Sequence, residues 1–277
     1  MKTLYVSDLD GTLLQPDARL SETTVSLLNR AIAEGKMFTV ATARTPATVA
    51  PILSDVDLRL PAIVITGAAM WNKATGRYSD VRHIAPGTVS ELLRIYGETA
   101  TSSFMFTLDH DMIDIYHLNG KLLPLQQQFM DERIHSPWKT FHIDPEGKDT
   151  LPADLSKTIL FYTMLPDAKA FSTYNLIKDV PGVKAQYYHD FYGPEIGILE
   201  TFDSGATKAN AVRALAGRVG ADRVVCFGDN INDLPMMEVA DVAVAVENAL
   251  PEVKEAADIV IGPNTADSVA KFISSDK

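Results

Sequence analysis

A chain of 277 residues, 46% of them apolar, carries 25 basic against 36 acidic side chains, for a formal charge of −11. That balance excludes a protein that neutralises nucleic-acid phosphates with lysine and arginine, and no apolar run approaches the roughly 18 residues needed to cross a bilayer. Asp8 and Asp10 stand where a secretory leader would be apolar, so a cytoplasmic protein with no membrane or nucleic-acid partner is expected, and the acidic surface favours a monomer.

The first predicted element is a strand from Thr3 to Ser7, and it runs directly into Asp8-Leu9-Asp10-Gly11-Thr12. Side chains two apart on an extended segment share a face. Asp8 and Asp10 therefore both address the space beyond the strand's carboxyl end, where one carboxylate can attack phosphorus or bind a metal and the other can move a proton. Gly11 tolerates the sharp turn that follows. A helix from Glu22 to Glu34 comes next, with Ser21 placed to cap it and Gly35 to stop it. A strand from Met37 to Thr42 leads to Thr42-Ala43-Arg44, whose hydroxyl and backbone N–H groups can hold phosphate oxygens where a helix begins near Pro46. A third strand is predicted from Ala62 to Thr66.

Residues 83–189 read differently. Strands are predicted at Ser103–Leu108, Met112–His117, Thr158–Met164 and Val183–Tyr188, with helices at Thr88–Glu98 and Asp167–Asp179 and a Pro-, Asp- and Gly-rich loop from Gly147 to Ser156. All six histidines lie between these limits, too scattered for a zinc site. The strand and helix alternation resumes in residues 190–277. Thr207-Lys208 opens a helix to Arg218, and a strand from Arg223 to Phe227 contains the only cysteine, Cys226, read as a buried strand residue. Gly228-Asp229-Asn230-Ile231-Asn232-Asp233 follows that strand, and acids and amides clustered there suit metal ligation better than a turn alone. A helix from Leu234 to Val239, strands at Val242–Val246 and Asp258–Ile261 and a last helix complete the chain. The expectation is an α/β protein, with a parallel-sheet core from residues 1–82 and 190–277 and an inserted α+β domain at 83–189.

A carboxylate attacking a phosphate monoester meets like charge, and each pair of unit charges at about 4 Å repels by about 4 kcal/mol at an effective dielectric near 20. A cation has to intervene. Oxygen ligands from Asp8, Asp229 and a backbone carbonyl near Asp10 suit Mg²⁺ rather than zinc, and Lys208 can neutralise a further phosphate oxygen.

These four segments, in this order, resemble the haloacid dehalogenase superfamily, specifically its Cof-type phosphatases with a class IIB cap. The likeness rests on Asp8-Leu9-Asp10-Gly11-Thr12-Leu13 and Gly228-Asp229-Asn230-Ile231-Asn232-Asp233, with Asn248-Ala249 and Ala257-Asp258 matching the family's tail. It implies a Rossmann-like core and a cap that closes over the site and chooses the substrate. It further implies Asp8 as nucleophile forming an aspartyl-phosphate, Asp10 as general acid and then base, and Leu9, Thr42, Lys208 and Asn232 as phosphate- or substrate-binding residues. Asp8, Asp10 and Asp229 would hold Mg²⁺, with Arg44 and Asp233 in support. Ala43, Ala209 and Ser268 depart from the family's usual Gly-rich pattern, though none of these positions carries a catalytic charge. The expected activity is hydrolysis of a small phosphorylated metabolite, such as a sugar phosphate. The alternatives are a phosphomutase and a non-catalytic regulatory module. A P-loop kinase is disfavoured by the absence of G-x-x-x-x-G-K-[ST]. Tyr116, His117, Trp138, Tyr187 and Tyr188 are candidates for contacting the substrate from the cap.

Overall fold

The computed structural model describes residues 1–189 and 193–276. They form two compact units, one from residues 1–80 and 206–277 and the other from residues 81–205.

Five parallel strands make the main sheet of the first unit, in the order Ile259–Ile261, Val242–Val246, Arg223–Gly228, Thr3–Ser7, Met37–Val40. The central strands are apolar on both faces, as a sheet covered by helices on both sides requires: Leu4, Val6, Val225, Cys226 and Phe227 are wholly enclosed. The helix Glu22–Ala33 starts where Ser21 accepts a hydrogen bond from the Thr24 N–H at 2.9 Å. Helix Lys208–Val219 is capped in the same way by Thr207, accepting from the Asn210 N–H at 3.1 Å, and ends at Gly220 in the left-handed region.

The strand expected at Ala62 to Thr66 is shorter, Ala62–Val64, and joins the main sheet through a parallel bridge between Ala41 and Ile63. It turns into an antiparallel three-stranded sheet with Ala69–Trp71 and Tyr78–Ser79 that the sequence does not announce. The turn holds Ile65, Thr66 and Gly67 at φ 53°, 56° and 95°. Ile65 and Thr66 are strained there, whereas Gly67 adopts this region freely.

The second unit is a six-stranded sheet in the order Val183–His189, Ile196–Asp203, Thr158–Pro166, Ser103–Asp109, Met112–Leu118, Lys139–His142. Its strands are antiparallel except for the last pair. Helices Pro86–Glu98 and Asp167–Ile177 contribute Val89, Leu92, Ile95, Tyr96 and Ile177 to one buried cluster with Met105, Phe161 and Leu199. A third helix, Pro124–Asp131, brings Phe129 to within 5.4 Å of Phe104 and 5.3 Å of Tyr162, ring centre to ring centre.

The expected return to the core at residue 190 has to be corrected. Residue 190 itself lies outside the described residues, and Ile196–Asp203 pairs antiparallel with both Val183–His189 and Thr158–Pro166, so the second unit continues to residue 205. At the other boundary the division falls after residue 80 rather than 82. Among the described residues no helix is long and apolar enough to cross a membrane.

Candidate active site

Asp8, Thr42 and Asp229 sit just past the carboxyl ends of neighbouring parallel strands, and Lys208 opens a helix, all in the first unit. The parallel sheet places strand ends side by side, which is where open α/β sheets gather ligands.

Asp8 is 6% exposed, and its N–H donates to the Phe227 carbonyl at 3.0 Å, tying it to the adjacent strand. Its Oδ1 accepts from Lys208 Nζ at 2.5 Å, and the same ammonium donates to Asp233 Oδ1 at 2.6 Å. Asp233 Oδ2 accepts from the N–H groups of Asp229 at 3.0 Å and Asn230 at 3.2 Å. Both oxygens of Asp233 are therefore occupied within the chain. Asp229 Oδ1 accepts from the Thr12 hydroxyl at 2.7 Å. Among the described residues Asp8 Oδ2 and Asp229 Oδ2 carry no hydrogen bond.

The carboxylates outnumber the cation. Three acids, Asp8, Asp229 and Asp233, surround the ammonium of Lys208, and one ligand atom from each of the three lies within 4.8 Å of the others. Burial, together with repulsion from Asp233 and Asp229 and against the pull of Lys208, raises the Asp8 carboxyl to about 8. Burial likewise raises Asp229 to about 6, with Asp233 adding to the rise and the Thr12 hydroxyl opposing it. Burial alone would lower the Lys208 ammonium, but Asp8 and Asp233 more than reverse this and hold it above its ordinary value. A hard divalent cation fits this cluster. The donor set is all oxygen, two of the oxygens lack hydrogen-bond partners, and all six histidines belong to the second unit.

Two close approaches fix the loops around this cluster. Gly11 has φ +77°, and a Cβ there would lie 2.3 Å from Asp229 Oδ2. Its carbonyl accepts from Asn248 Nδ2 at 2.7 Å, and Asn248 Oδ1 accepts in turn from the Asn264 N–H at 3.0 Å. A Cβ on Gly67 would lie 2.4 Å from the Thr207 carbonyl carbon, so the strained turn abuts the start of the Lys208 helix. The same turn braces the second loop, since Thr66 N–H donates to the Thr42 carbonyl and Ile65 N–H to the Arg44 carbonyl, each at 3.0 Å.

Thr42 is buried, and its hydroxyl accepts from the Arg44 N–H at 3.1 Å. Leu9 is enclosed, its carbonyl accepting from the N–H groups of Leu13 and Leu14 at 3.0 and 2.9 Å. Asp10 points elsewhere than Asp8: its carboxylate is half-exposed in a two-pronged pair with Arg44, Nε to Oδ2 at 2.7 Å and Nη2 to Oδ1 at 2.5 Å. Its carboxylate is not part of the three-acid cluster, where Asp233 stands instead. The Asn232 side chain is exposed and makes no hydrogen bond among the described residues. Thr12 and the Ile65 to Gly67 turn are structural members of the site that sequence reasoning passes over. The signal for the turn was Thr66-Gly67 directly after a buried strand.

Of the cap candidates, His117 is buried against the Ser102 hydroxyl at 2.9 Å and Gln126 at 3.3 Å, with burial pushing its imidazole below its usual range. Tyr116 stacks on His142 at 4.8 Å, and Tyr187 donates to Asp167. These three are engaged within the second unit.

The chain is 26% identical over 288 residues to pyridoxal phosphate phosphatase YbhA of Escherichia coli (strain K12), covering 97% of this chain and 96% of the relative. Its fold matches that of a haloacid dehalogenase-like hydrolase from Bacteroides thetaiotaomicron with a TM-score of 0.75 at 23% identity, covering 99% of this chain and 98% of that one. It also matches the subclass IIB sugar phosphatase BT4131 with a TM-score of 0.69 at 19% identity, covering 99% and 98%. Residues 5–273 match the model of the haloacid dehalogenase-like hydrolases, and the chain belongs to that family.

Proposed function

We infer that the protein is a Mg²⁺-dependent phosphatase that hydrolyses a small phosphorylated metabolite through an aspartyl-phosphate on Asp8. The observation that carries this reading is the asymmetry of the Asp8 carboxylate. Lys208 fixes one oxygen at 2.5 Å, while the other has no hydrogen bond and is left to act as the nucleophile or a ligand.

Asp8 and Asp229, with a backbone carbonyl of the Asp8 to Asp10 loop, would hold Mg²⁺, which when bound offsets the charge between carboxylate and phosphate. The other steps belong to the chain's own groups. Lys208, oriented by Asp233, holds Asp8 in place and neutralises a phosphoryl oxygen. The Thr42 hydroxyl and the N–H groups after it hold another. The Asp8 oxygen attacks phosphorus and the ester oxygen departs with a proton from Asp10. Water deprotonated by Asp10 then attacks the same phosphorus and releases Asp8. For Asp10 to reach the leaving oxygen, the fork of Arg44 has to exchange its hold on the carboxylate.

The similarity to a pyridoxal phosphate phosphatase supports a small phosphomonoester as the substrate class. Rapid quenching during turnover of radiolabelled substrate, followed by peptide mapping, tests the intermediate. Label on the peptide containing Asp8 is expected, and label elsewhere or on no peptide contradicts the assignment.

A further inference from the structure

Residues 247–250 connect the strand Val242–Val246 to the helix Pro251–Ala256 in the first unit. Two hydrogen bonds from this connection reach two different loops of the site. Asn248 Nδ2 donates to the Gly11 carbonyl at 2.7 Å, and two residues later the Leu250 N–H donates to the Asp229 carbonyl at 2.9 Å. One short segment therefore holds both the turn that follows Asp8 and the loop that presents Asp229.

Those two loops also meet each other directly. The Thr12 hydroxyl donates to Asp229 Oδ1 at 2.7 Å, and Gly11 lies so near that a Cβ would collide with Asp229 Oδ2. The contacts close a ring, from Gly11 and Thr12 to the Asp229 carboxylate, from the Asp229 carbonyl to Leu250, and from Asn248 back to Gly11. Asn248 is exposed, yet the orientation of its amide is set. Its Oδ1 accepts from the Asn264 N–H at 3.0 Å, so the nitrogen end has to face Gly11. Asn264 is 9% exposed and anchored in turn, with Nδ2 donating to the Leu14 carbonyl at 2.7 Å and Oδ1 accepting from the Thr265 N–H at 3.0 Å. Two asparagines thus grip the turn after Asp8 at Gly11 and at Leu14.

We propose that Asn248, on the reading that Asp8 and Asp229 hold Mg²⁺, is a positioning residue that sets the spacing between those two carboxylates, with Asn264 fixing its amide. Asn248 is no ligand itself, since its oxygen is taken by Asn264 and its nitrogen by Gly11. Its link is one that a substitution can remove without touching an acid of the site. Mg²⁺ demands near-octahedral oxygens at about 2.0 to 2.1 Å, whereas Ca²⁺ accepts about 2.3 to 2.6 Å in looser geometry. Slack between the two loops therefore penalises Mg²⁺ more than Ca²⁺. A residue that served only the fold would move neither ion's affinity selectively.

Mg²⁺ and Ca²⁺, each titrated calorimetrically into the full chain without substrate, test this. Asn248→Ala is expected to weaken Mg²⁺ by about tenfold, as loss of a supporting hydrogen bond does at other metal sites, and Ca²⁺ by about twofold or less. Its urea midpoint should stay close to that of wild type, because the side chain is exposed. Asn248→Gln, which keeps an amide donor, should regain part of the Mg²⁺ affinity. Equal Mg²⁺ affinity in wild type and Asn248→Ala, or an equal loss for both ions, overturns the proposal while leaving the metal reading in place. No Mg²⁺ binding to wild type at millimolar concentration removes the metal reading and this proposal with it.

Discussion

Lys208 and Asp233 form an ion pair closed off from water, Nζ to Oδ1 2.6 Å, with side chains 1% and 0% exposed. Asp233 also accepts from the Asp229 and Asn230 N–H groups, so one carboxylate fixes both the lysine and the loop that presents Asp229. Breaking such a pair strands a buried charge, at about 3 to 5 kcal/mol. Asp233→Ala should lose stability on that scale in urea unfolding, and activity with it. A loss below about 1 kcal/mol, as found for exposed pairs, would show that the pair does not organise the site.

Gly11 makes a sharper prediction, because strain and close approach coincide there. Its φ is +77° and a Cβ would stand 2.3 Å from Asp229 Oδ2. The left-handed conformation costs a residue with a Cβ about 1 to 2 kcal/mol, and Asp229 has to move in addition. Gly11→Ala is therefore expected to raise the Mg²⁺ concentration needed for half-maximal activity far more than it raises the substrate KM. An unchanged Mg²⁺ requirement would dissociate Asp229 from metal binding.

Arg44 and Asp10 pair in the open, where ion pairs stabilise little. Arg44→Ala should leave the unfolding midpoint nearly unchanged while lowering kcat. Asp10→Asn should slow an alkyl phosphate by about a hundredfold or more, and p-nitrophenyl phosphate much less, since its leaving group departs without protonation. Equal slowing of both substrates would count against Asp10 as the acid.

Lys139 predicts a pH dependence of stability. Its folded value, about 7, lies below the ordinary 10.5, so between these values the unfolded chain binds a proton that the folded chain does not, and stability rises with pH there. Lys139→Met should exceed wild type in stability below pH 7, and the gap should close as pH rises toward 10.5. A gap independent of pH would mean that the ammonium is not desolvated.

The core of the site was legible in the sequence because short-range rules set it. Asp8 follows a buried strand, Lys208 follows a capping Thr207, and Asp229 to Asp233 follow another apolar strand, so each polar cluster marks a strand end or helix start. What the sequence could not show is which carboxylate faces which partner. Asp10 does not share an extended segment with Asp8, because the strand ends at Ser7 and the chain is already turning around the Leu9 carbonyl, and Asp10 pairs with Arg44. Asn232 sits on the same short 3-10 turn as Asp233 and faces solvent. In the second unit the helix Pro124–Asp131 is hard to read from sequence because its exposed face is glutamine-rich and Pro124 begins it, and Lys139–His142 because its first inward side chain is a lysine. Residues 196–203 fall on the core side of the expected boundary, because alternation says that a segment can pair, not with which neighbour, and they pair with Val183–His189 and Thr158–Pro166.

The measurement that tests the account most directly is phosphate release from small phosphomonoesters, pyridoxal phosphate among them, by wild type and Asp8→Asn, with Mg²⁺ and with a chelator. Free phosphate released only with Mg²⁺, and reduced by about three orders of magnitude or more in a folded Asp8→Asn, is the predicted result. Appreciable release by Asp8→Asn, or release undiminished by the chelator, would contradict it.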